Sequence, residues 1–229
     1  MFIRSFSAGV WQTNCYVVAT QANSECIIID PGYESLAQVA QIVSDFRLKP
    51  TATLLTHGHL DHMWSVQPLA DGYEIPAFIH ASDRHLLADP GAGISAETIA
   101  MLADSLGTPN KFVEPSDVRV IADGVQIELA GLNLDIRLAP GHTQGSILFG
   151  IAGDEPVMFT GDVLFAGAIG RTDLPGGSAL AMDSTLRDVI LAIDDATEIL
   201  PGHGPATIMA NERVNNPYLR RVAQGLSAV

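Results

Sequence analysis

Six consecutive residues, His57-Gly58-His59-Leu60-Asp61-His62, carry four side chains able to bind a metal ion. On an extended chain residues two apart project to the same side, so His57 and His59 can share one ion. Asp61 and His62 are adjacent and point apart on such a chain. They suit a second ion beside the first, once the chain turns into the segment from Leu60 to Ala70. A solitary histidine is an ordinary core or surface group far more often than a ligand, but four candidates at this density have few purely structural explanations.

Three further positions offer the same chemistry: His142 in Pro-Gly-His-Thr, Asp162 in Thr-Gly-Asp and His203 in Pro-Gly-His-Gly. Imidazole and carboxylate without thiolate favour borderline or hard divalent ions, so zinc leads, iron and manganese also fit, and copper–thiolate and iron–sulfur chemistry are excluded. His80 and His85 flank Ala81-Ser82-Asp83, which reads as a helix start, and lack this context. Cys15 and Cys26 lie in apolar stretches with no neighbouring His or Cys and read as buried free thiols.

Each candidate ligand follows an apolar run that ends abruptly at a Gly-, Asp- or His-bearing turn: residues 26–32, 52–59, 136–143, 157–162 and 198–204. These runs read as buried strands. Strands of one sheet running in similar directions would line all five turns along one rim. Gly58, Gly141, Gly161 and Gly202 precede or separate the ligands, where tight turns favour glycine. Helical periodicity spans Glu34 to Phe46, with Leu36, Val39, Ala40 and Val43 on one stripe, and Ala181 to Ile193, with Leu186, Val189, Ile190 and Ile193. Pro217 to Gln224 predicts a last helix, and 125–129, 132–138 and 146–151 predict a meander joined by short Gly turns. Strand-rich stretches followed by helix occur in each half, which predicts a two-sheet sandwich with helices outside, in a single domain over 1–229. The stretch Pro90 to Pro115, helical in pattern around Ile94 to Leu106, reads either as a lip over the site or as ordinary packing.

The 229 residues include 26 Asp plus Glu against 12 Lys plus Arg, a formal net charge of −14. A surface of that sign repels phosphate backbones and anionic lipid, so neither nucleic acid nor membrane is an expected partner. At 47% hydrophobic and 17% charged the chain is neither disordered nor a coiled coil. No apolar run approaches the roughly 18 residues needed to span a bilayer. The amino-terminal segment lacks the pattern of a secretory signal, and the expected location is cytoplasmic.

With the H-x-H-x-D-H pattern filled by His57, His59, Asp61 and His62, and His142, Asp162 and His203 following in order, the chain resembles the metallo-β-lactamase superfamily over nearly its whole length. The resemblance implies an α/β fold, the four-layer αββα sandwich. It implies two divalent ions per chain: His57, His59 and His142 on the first, Asp61, His62 and His203 on the second, and Asp162 bridging both. Asp30, in Ile-Asp-Pro-Gly, would support the metal loop from behind. The segment 160–177, the ending Pro201-Gly-His-Gly-Pro-Ala-Thr, and Glu212-Arg213 with Asn215-Asn216-Pro217 look like the short, single-domain bacterial branch of the glyoxalase II type. Asp162 sets the chain apart from the many zinc β-lactamases with Cys at that position. Only 26 residues follow His203, and Gly204 and Pro205 stand where a tyrosine is expected, so no carboxy-terminal helical glutathione-binding domain is predicted.

By this resemblance the activity is hydrolysis of a small-molecule 2-hydroxyacyl thioester, of the S-lactoylglutathione kind met in methylglyoxal detoxification, to the acid and free thiol. Two cations about 3.5–4 Å apart lower the pKa of a shared water, and the resulting hydroxide attacks the carbonyl. Asp61 is the catalytic carboxylate that orients it. A thiol of pKa about 8.5 departs without a strong general acid. Arg171, in Gly-Arg-Thr-Asp, stands where the glyoxalase II type carries a basic substrate-binding residue. It either holds a carboxylate of the thiol carrier or forms an internal salt bridge with Asp173. Arg213, Arg220 and Arg221 read as anion contacts or as a solvated helix face. The competing readings are an iron-dependent persulfide dioxygenase and a lactonase of the same superfamily, then a nuclease, which the acidic surface disfavours, and a non-enzymatic metal-stabilised scaffold.

Overall fold

A computed structural model describes residues 1–95, 98, 102 and 112–228. The first sheet runs in chain order, β1 (Phe2–Ala8), β2 (Thr13–Ala19), β3 (Glu25–Ile29), β4 (Lys49–Leu54), β5 (Ala77–His80) and β6 (Val118–Ile121). Its first three strands are antiparallel neighbours, and β3 to β6 are parallel. The second sheet holds β7 (Gln126–Leu129), β8 (Leu132–Leu138), β9 (Ile147–Ile151), β10 (Val157–Gly161), β13 (Glu198–Pro201) and β14 (Thr207–Ile208), neighbours in that sequence. A small hairpin of β11 (Leu164–Phe165) and β12 (Ala168–Ile169) stands apart.

The two-residue period of a strand explains the layering. Cys15, Val17, Ala19, Cys26 and Ile28 face one way, into a core closed by helices α1 (Leu36–Asp45), α2 (Leu60–Met63) and α3 (Val66–Tyr73). Their alternates Tyr16, Val18, Ile27 and Ile29 face the other way, onto Leu134, Ile136, Phe149 and Phe159 of the second sheet. The far face of that sheet, with Leu148, Met158 and Ile199, is covered by α4 (Ala179–Thr185), a π-helical turn at Leu186–Ile190, α5 (Met209–Asn215) and α6 (Pro217–Ala223). Strands covered on both faces read as continuous apolar runs, which is why 26–29 and 157–159 stand out in the sequence. The arrangement is the αββα sandwich.

Several expectations are corrected in detail. The five site-bearing turns do not belong to one sheet: two follow β3 and β4 of the first, and three follow β8, β10 and β13 of the second, so the rim is made by both sheets together. Helix α1 starts at Leu36 and turns Val39, Ile42, Val43 and Phe46 inward, leaving Leu36 41% exposed and Ala40 in solvent. The helix expected from Ala181 begins at Ala179, where the Ser178 hydroxyl caps the Ala181 amide, and widens into the π turn from Leu186. Of the meander connections only β7–β8 is short; β8 and β9 are joined by the 139–146 loop that carries His142. Ser82-Asp83 precedes a 3₁₀ turn, Arg84–Leu87, rather than an α-helix. The helix expected around Ile94 to Leu106 lies largely outside the described residues. Among the described residues no helix is long and apolar enough to cross a membrane.

Candidate metal centre

Asp30 closes β3, and its carboxylate accepts three hydrogen bonds: Oδ1 from the Thr56 amide at 2.8 Å, and Oδ2 from the Thr56 hydroxyl at 2.7 Å and His62 Nδ1 at 2.9 Å. The Thr56 hydroxyl donates its hydrogen bond to Asp30, so the 3.1 Å contact with His57 Nδ1 is one in which the imidazole donates. His142 Nδ1 donates to the Arg171 carbonyl at 2.8 Å. Fixing a proton on Nδ1 of His57, His62 and His142 leaves each Nε2 lone pair for the site. His59 faces His142 across 2.8 Å, from Nδ1 to Nε2.

At Leu60 the chain enters α2, and this changes the geometry expected for Asp61 and His62. They do not point apart. On a helix adjacent side chains are about 100° apart rather than on opposite sides, and Asp61 Oδ2 lies 3.4 Å from His62 Nε2. His203 Nε2 is 3.1 Å from the same oxygen, and Thr13 Oγ1 donates to it at 2.9 Å. Asp162 reaches both sides: Oδ1 lies 3.3 Å from His62 Nε2, and Oδ2 lies 3.6 Å from His142 Nε2 and 3.5 Å from His203 Nε2. A Cβ on Gly202 would run into Asp162 Oδ1 and His62 Cε1, so this turn admits only glycine.

Three groups of side chains thus present atoms within 4.8 Å of one another: His57, His59 and His142; His57, His62 and Asp162; and Asp61, His62 and His203. The imidazoles of His57, His59, His62 and His142 are buried, whereas the side chains of His203 and Asp61 are 30% and 20% exposed, so the cluster opens to solvent on their side. The Nε2 atoms of His57, His59 and His62 and Oδ1 of Asp162 are buried without a hydrogen-bond partner. Buried polar atoms are almost always paired. Of these, the orphans of His57, His62 and Asp162 belong to one group, and such a set of nitrogen and oxygen donors is what a divalent cation satisfies.

The charge balance differs between the groups. Burial, together with the other imidazoles, holds His57 well below the ordinary histidine value, and burial with His142 beside it takes His59 down to about 3. Both are neutral, as ligands must be. Burial works against charge on His62, but Asp61, Asp162 and Asp30 outweigh it and raise its pKa well above the ordinary value. The same encounter, against the cost of burial, keeps Asp61 and Asp162 below the usual carboxylate range.

All seven side chains read as ligands and Asp30 are therefore brought together, while His80 and His85 are in none of the groups. The Arg171 side chain is not brought in. Its guanidinium, 60% exposed, grips Asp173 through bonds of 2.7 and 2.8 Å, and only its backbone carbonyl serves the centre. Arg213 braces the segment that follows the π turn by bonding Asp195 and the carbonyls of Leu191 and Ile193. Cys15 and Cys26 are buried and unbridged; burial pushes the Cys26 thiol up to about 12. The Pro90–Gly93 turn touches the site, since a Cβ on Gly93 would lie 3.1 Å from His59 Cδ2. Sequence reasoning missed Thr13, Asn14 and Asp83, whose partners lie far away along the chain. No local pattern marks them, beyond a polar residue inside or ending an apolar strand.

A profile of the Metallo-beta-lactamase superfamily matches residues 8–203. An uncharacterized protein of Mycobacterium leprae is 41% identical over 96% of this chain and 99% of its own. The probable metallo-hydrolase YqgX of Bacillus subtilis is 32% identical (94% and 96%), and the hydroxyacylglutathione hydrolase GloC of Haemophilus influenzae 33% (96% and 98%). Among solved structures, the BLEG-1 B3 metallo-beta-lactamase superposes with a TM-score of 0.83 at 31% identity, covering 95% of this chain and 99% of its own. TTHA1623 in a di-iron-bound form gives 0.75 at 30% identity (95% and 100%). ETHE1 from Myxococcus xanthus gives 0.75 at 25% identity (98% and 85%).

Proposed function

The chain belongs to the metallo-β-lactamase superfamily and is a metal-dependent hydrolase by kinship and by its His/Asp cluster; from this premise we propose that it hydrolyses a small 2-hydroxyacyl thioester, in the manner of glyoxalase II. The observation that carries the reading is the meeting of three ligand groups through shared His57 and His62, with Asp162 between them, open to solvent beside Asp61 and His203. Among the relatives, the hydroxyacylglutathione hydrolase GloC supports the choice of thioester. Two divalent ions, zinc foremost and iron or manganese as substitutes, held by His57, His59 and His142 and by Asp61, His62 and His203 with Asp162 between, would supply Lewis acidity and activate water.

The protein's own groups do the rest. Asp61 stays ionised between His62, His203 and Thr13, and its carboxylate accepts the hydrogen bond that orients an attacking water. Asp30 and the Arg171 carbonyl keep the imidazole rings of His62 and His142 turned inward. The Arg171 guanidinium binds a carboxylate of the thiol carrier by turning from Asp173, an exposed pair that solvent screens and that is easily given up. The departing thiol needs no protein acid. We place the reaction in the cytoplasm, where thiols stay reduced, in line with two unbridged cysteines.

The test is thiol release from S-lactoylglutathione by the purified protein, with and without a chelator, beside elemental analysis of the same sample. Chelator-sensitive release supports the reading; no release from fully metallated protein overturns it. The likeness to ETHE1 favours one second reading, an iron-dependent persulfide dioxygenase. Oxygen uptake and sulfite from glutathione persulfide, with one iron per chain, would decide for it. A lactone substrate assayed in parallel separates the lactonase alternative.

A further inference from the structure

Two buried carboxylates brace the centre, and only one of them, Asp30, has so far been given a role. The other is Asp83, 2% exposed, just beyond β5. Its Oδ2 accepts from the Gly58 amide at 3.0 Å and the Thr143 hydroxyl at 2.7 Å, and its Oδ1 accepts from the Gly145 amide at 2.7 Å. Gly58 separates His57 from His59, and Thr143 follows His142. A single carboxylate therefore fastens together the two loops that carry every member of the His57, His59 and His142 group. The surroundings are built to this carboxylate. A Cβ on Gly145 would lie 2.6 Å from Asp83 Cγ, and the Thr143 hydroxyl and amide are also engaged by the Ser146 hydroxyl at 2.8 and 3.1 Å. None of these bonds involves Asp61, His62 or His203: His62 is held by Asp30, Asp61 by Thr13, and His203 by its backbone bridge to Thr13 and by Asn14 on the carbonyls beside it.

We infer that Asp83 is a positioning residue for the first metal site: it sets the His57–His59 loop against the His142 loop and thereby fixes the affinity of that group alone. The division of labour is physical. Hydrogen bonds from backbone amides to an ionised carboxylate are about twice as strong as neutral ones, and a buried carboxylate without them is costly. Two loops sharing one such acceptor cannot drift apart independently. The inference rests on the reading that these histidines hold an ion, and it holds whether or not the substrate is a thioester.

The experiment is competition for Zn²⁺ between a chromophoric chelator and the full-length protein in two single-site backgrounds. His203→Ala keeps the first group whole, and His142→Ala keeps the second. Adding Asp83→Asn should weaken Zn²⁺ binding about 10- to 100-fold in the His203→Ala background, as loss of a ligand-orienting partner does elsewhere, and leave the His142→Ala background unchanged. Thr143→Val, which deletes one of the three donors, should weaken the first site by less and serves if Asp83→Asn does not fold. Equal losses in both backgrounds would reduce Asp83 to general stability, and no loss in either would remove its role; both overturn the inference. If neither background binds Zn²⁺ before Asp83 is changed, the metal-centre reading fails and the inference falls with it.

Discussion

The side-chain amide of Asn14, on the first sheet, donates to the carbonyl of Pro201, on the second, at 3.0 Å. The same amide donates to the Gly204 carbonyl at 2.8 Å, and the Tyr16 hydroxyl to Pro201 at 2.7 Å, so His203 is held from both sides by residues of the opposite sheet. The face-to-face packing of the sheets is thus converted into the position of one ligand. Asn14→Ala removes two hydrogen bonds, while the Pro201 carbonyl keeps the Tyr16 hydroxyl and the exposed Gly204 carbonyl turns to water, so the loss should be about 1–2 kcal/mol in denaturant unfolding. It should also weaken the second ion of the Asp61, His62 and His203 group more than the first, read by Zn²⁺ competition.

Asp162 lies within 3.6 Å of ring nitrogens from both groups. Asp162→Ala should therefore lower metal content and turnover together, and elemental analysis alongside kcat would show it. Retention of full activity would remove Asp162 from the site.

Chelation has a stability signature as well as a kinetic one. Buried ring nitrogens at the centre lack partners within the protein, and a bound ion would satisfy them. Removing metal should lower Tm, and titrating Zn²⁺ back should raise it with concentration, as for any ligand bound only by the native state. A Tm indifferent to chelator would argue against a filled centre.

Arg171→Ala should raise KM for a carboxylate-bearing thioester much more than it alters metal content, because only the backbone carbonyl of Arg171 supports His142. Asp173→Ala frees the guanidinium and should leave KM equal or lower. An unchanged KM in Arg171→Ala would return the residue to a purely structural role in its loop.

Glu212 is fully buried and accepts from four donors: the Gly167 amide, Thr207, Asn211 and Asn216. Burial raises its pKa, but these bonds outweigh burial and keep it below the ordinary glutamate value. A depressed folded pKa means stability that is present above the unfolded value near 4.5 and lost as pH falls through the folded one. Glu212→Gln should cost about 1–3 kcal/mol at neutral pH. The gap from the natural protein should close below pH 4.5, as urea unfolding across pH would reveal.

The candidate metal-binding residues and the layers were legible along the chain. Ligand type is a property of side chains, and the spacing His57, His59, Asp61 and His62 survives any reasonable backbone. Apolar runs such as Cys26–Ile29 declare a strand covered on both faces, because only a doubly buried strand has no polar alternation. Tertiary structure decided what spacing cannot express. The turn into α2 made Asp61 and His62 converge rather than diverge, since the same residues on an extended chain would point apart. The packing of two sheets put Asn14 beside Pro201, 187 residues away, and brought Asp83 to both histidine loops. It also turned the Arg171 side chain to Asp173 while lending its carbonyl to His142. These are contacts of backbone groups and isolated polar side chains, whose partners are chosen by distance in space and leave no periodic trace along the chain.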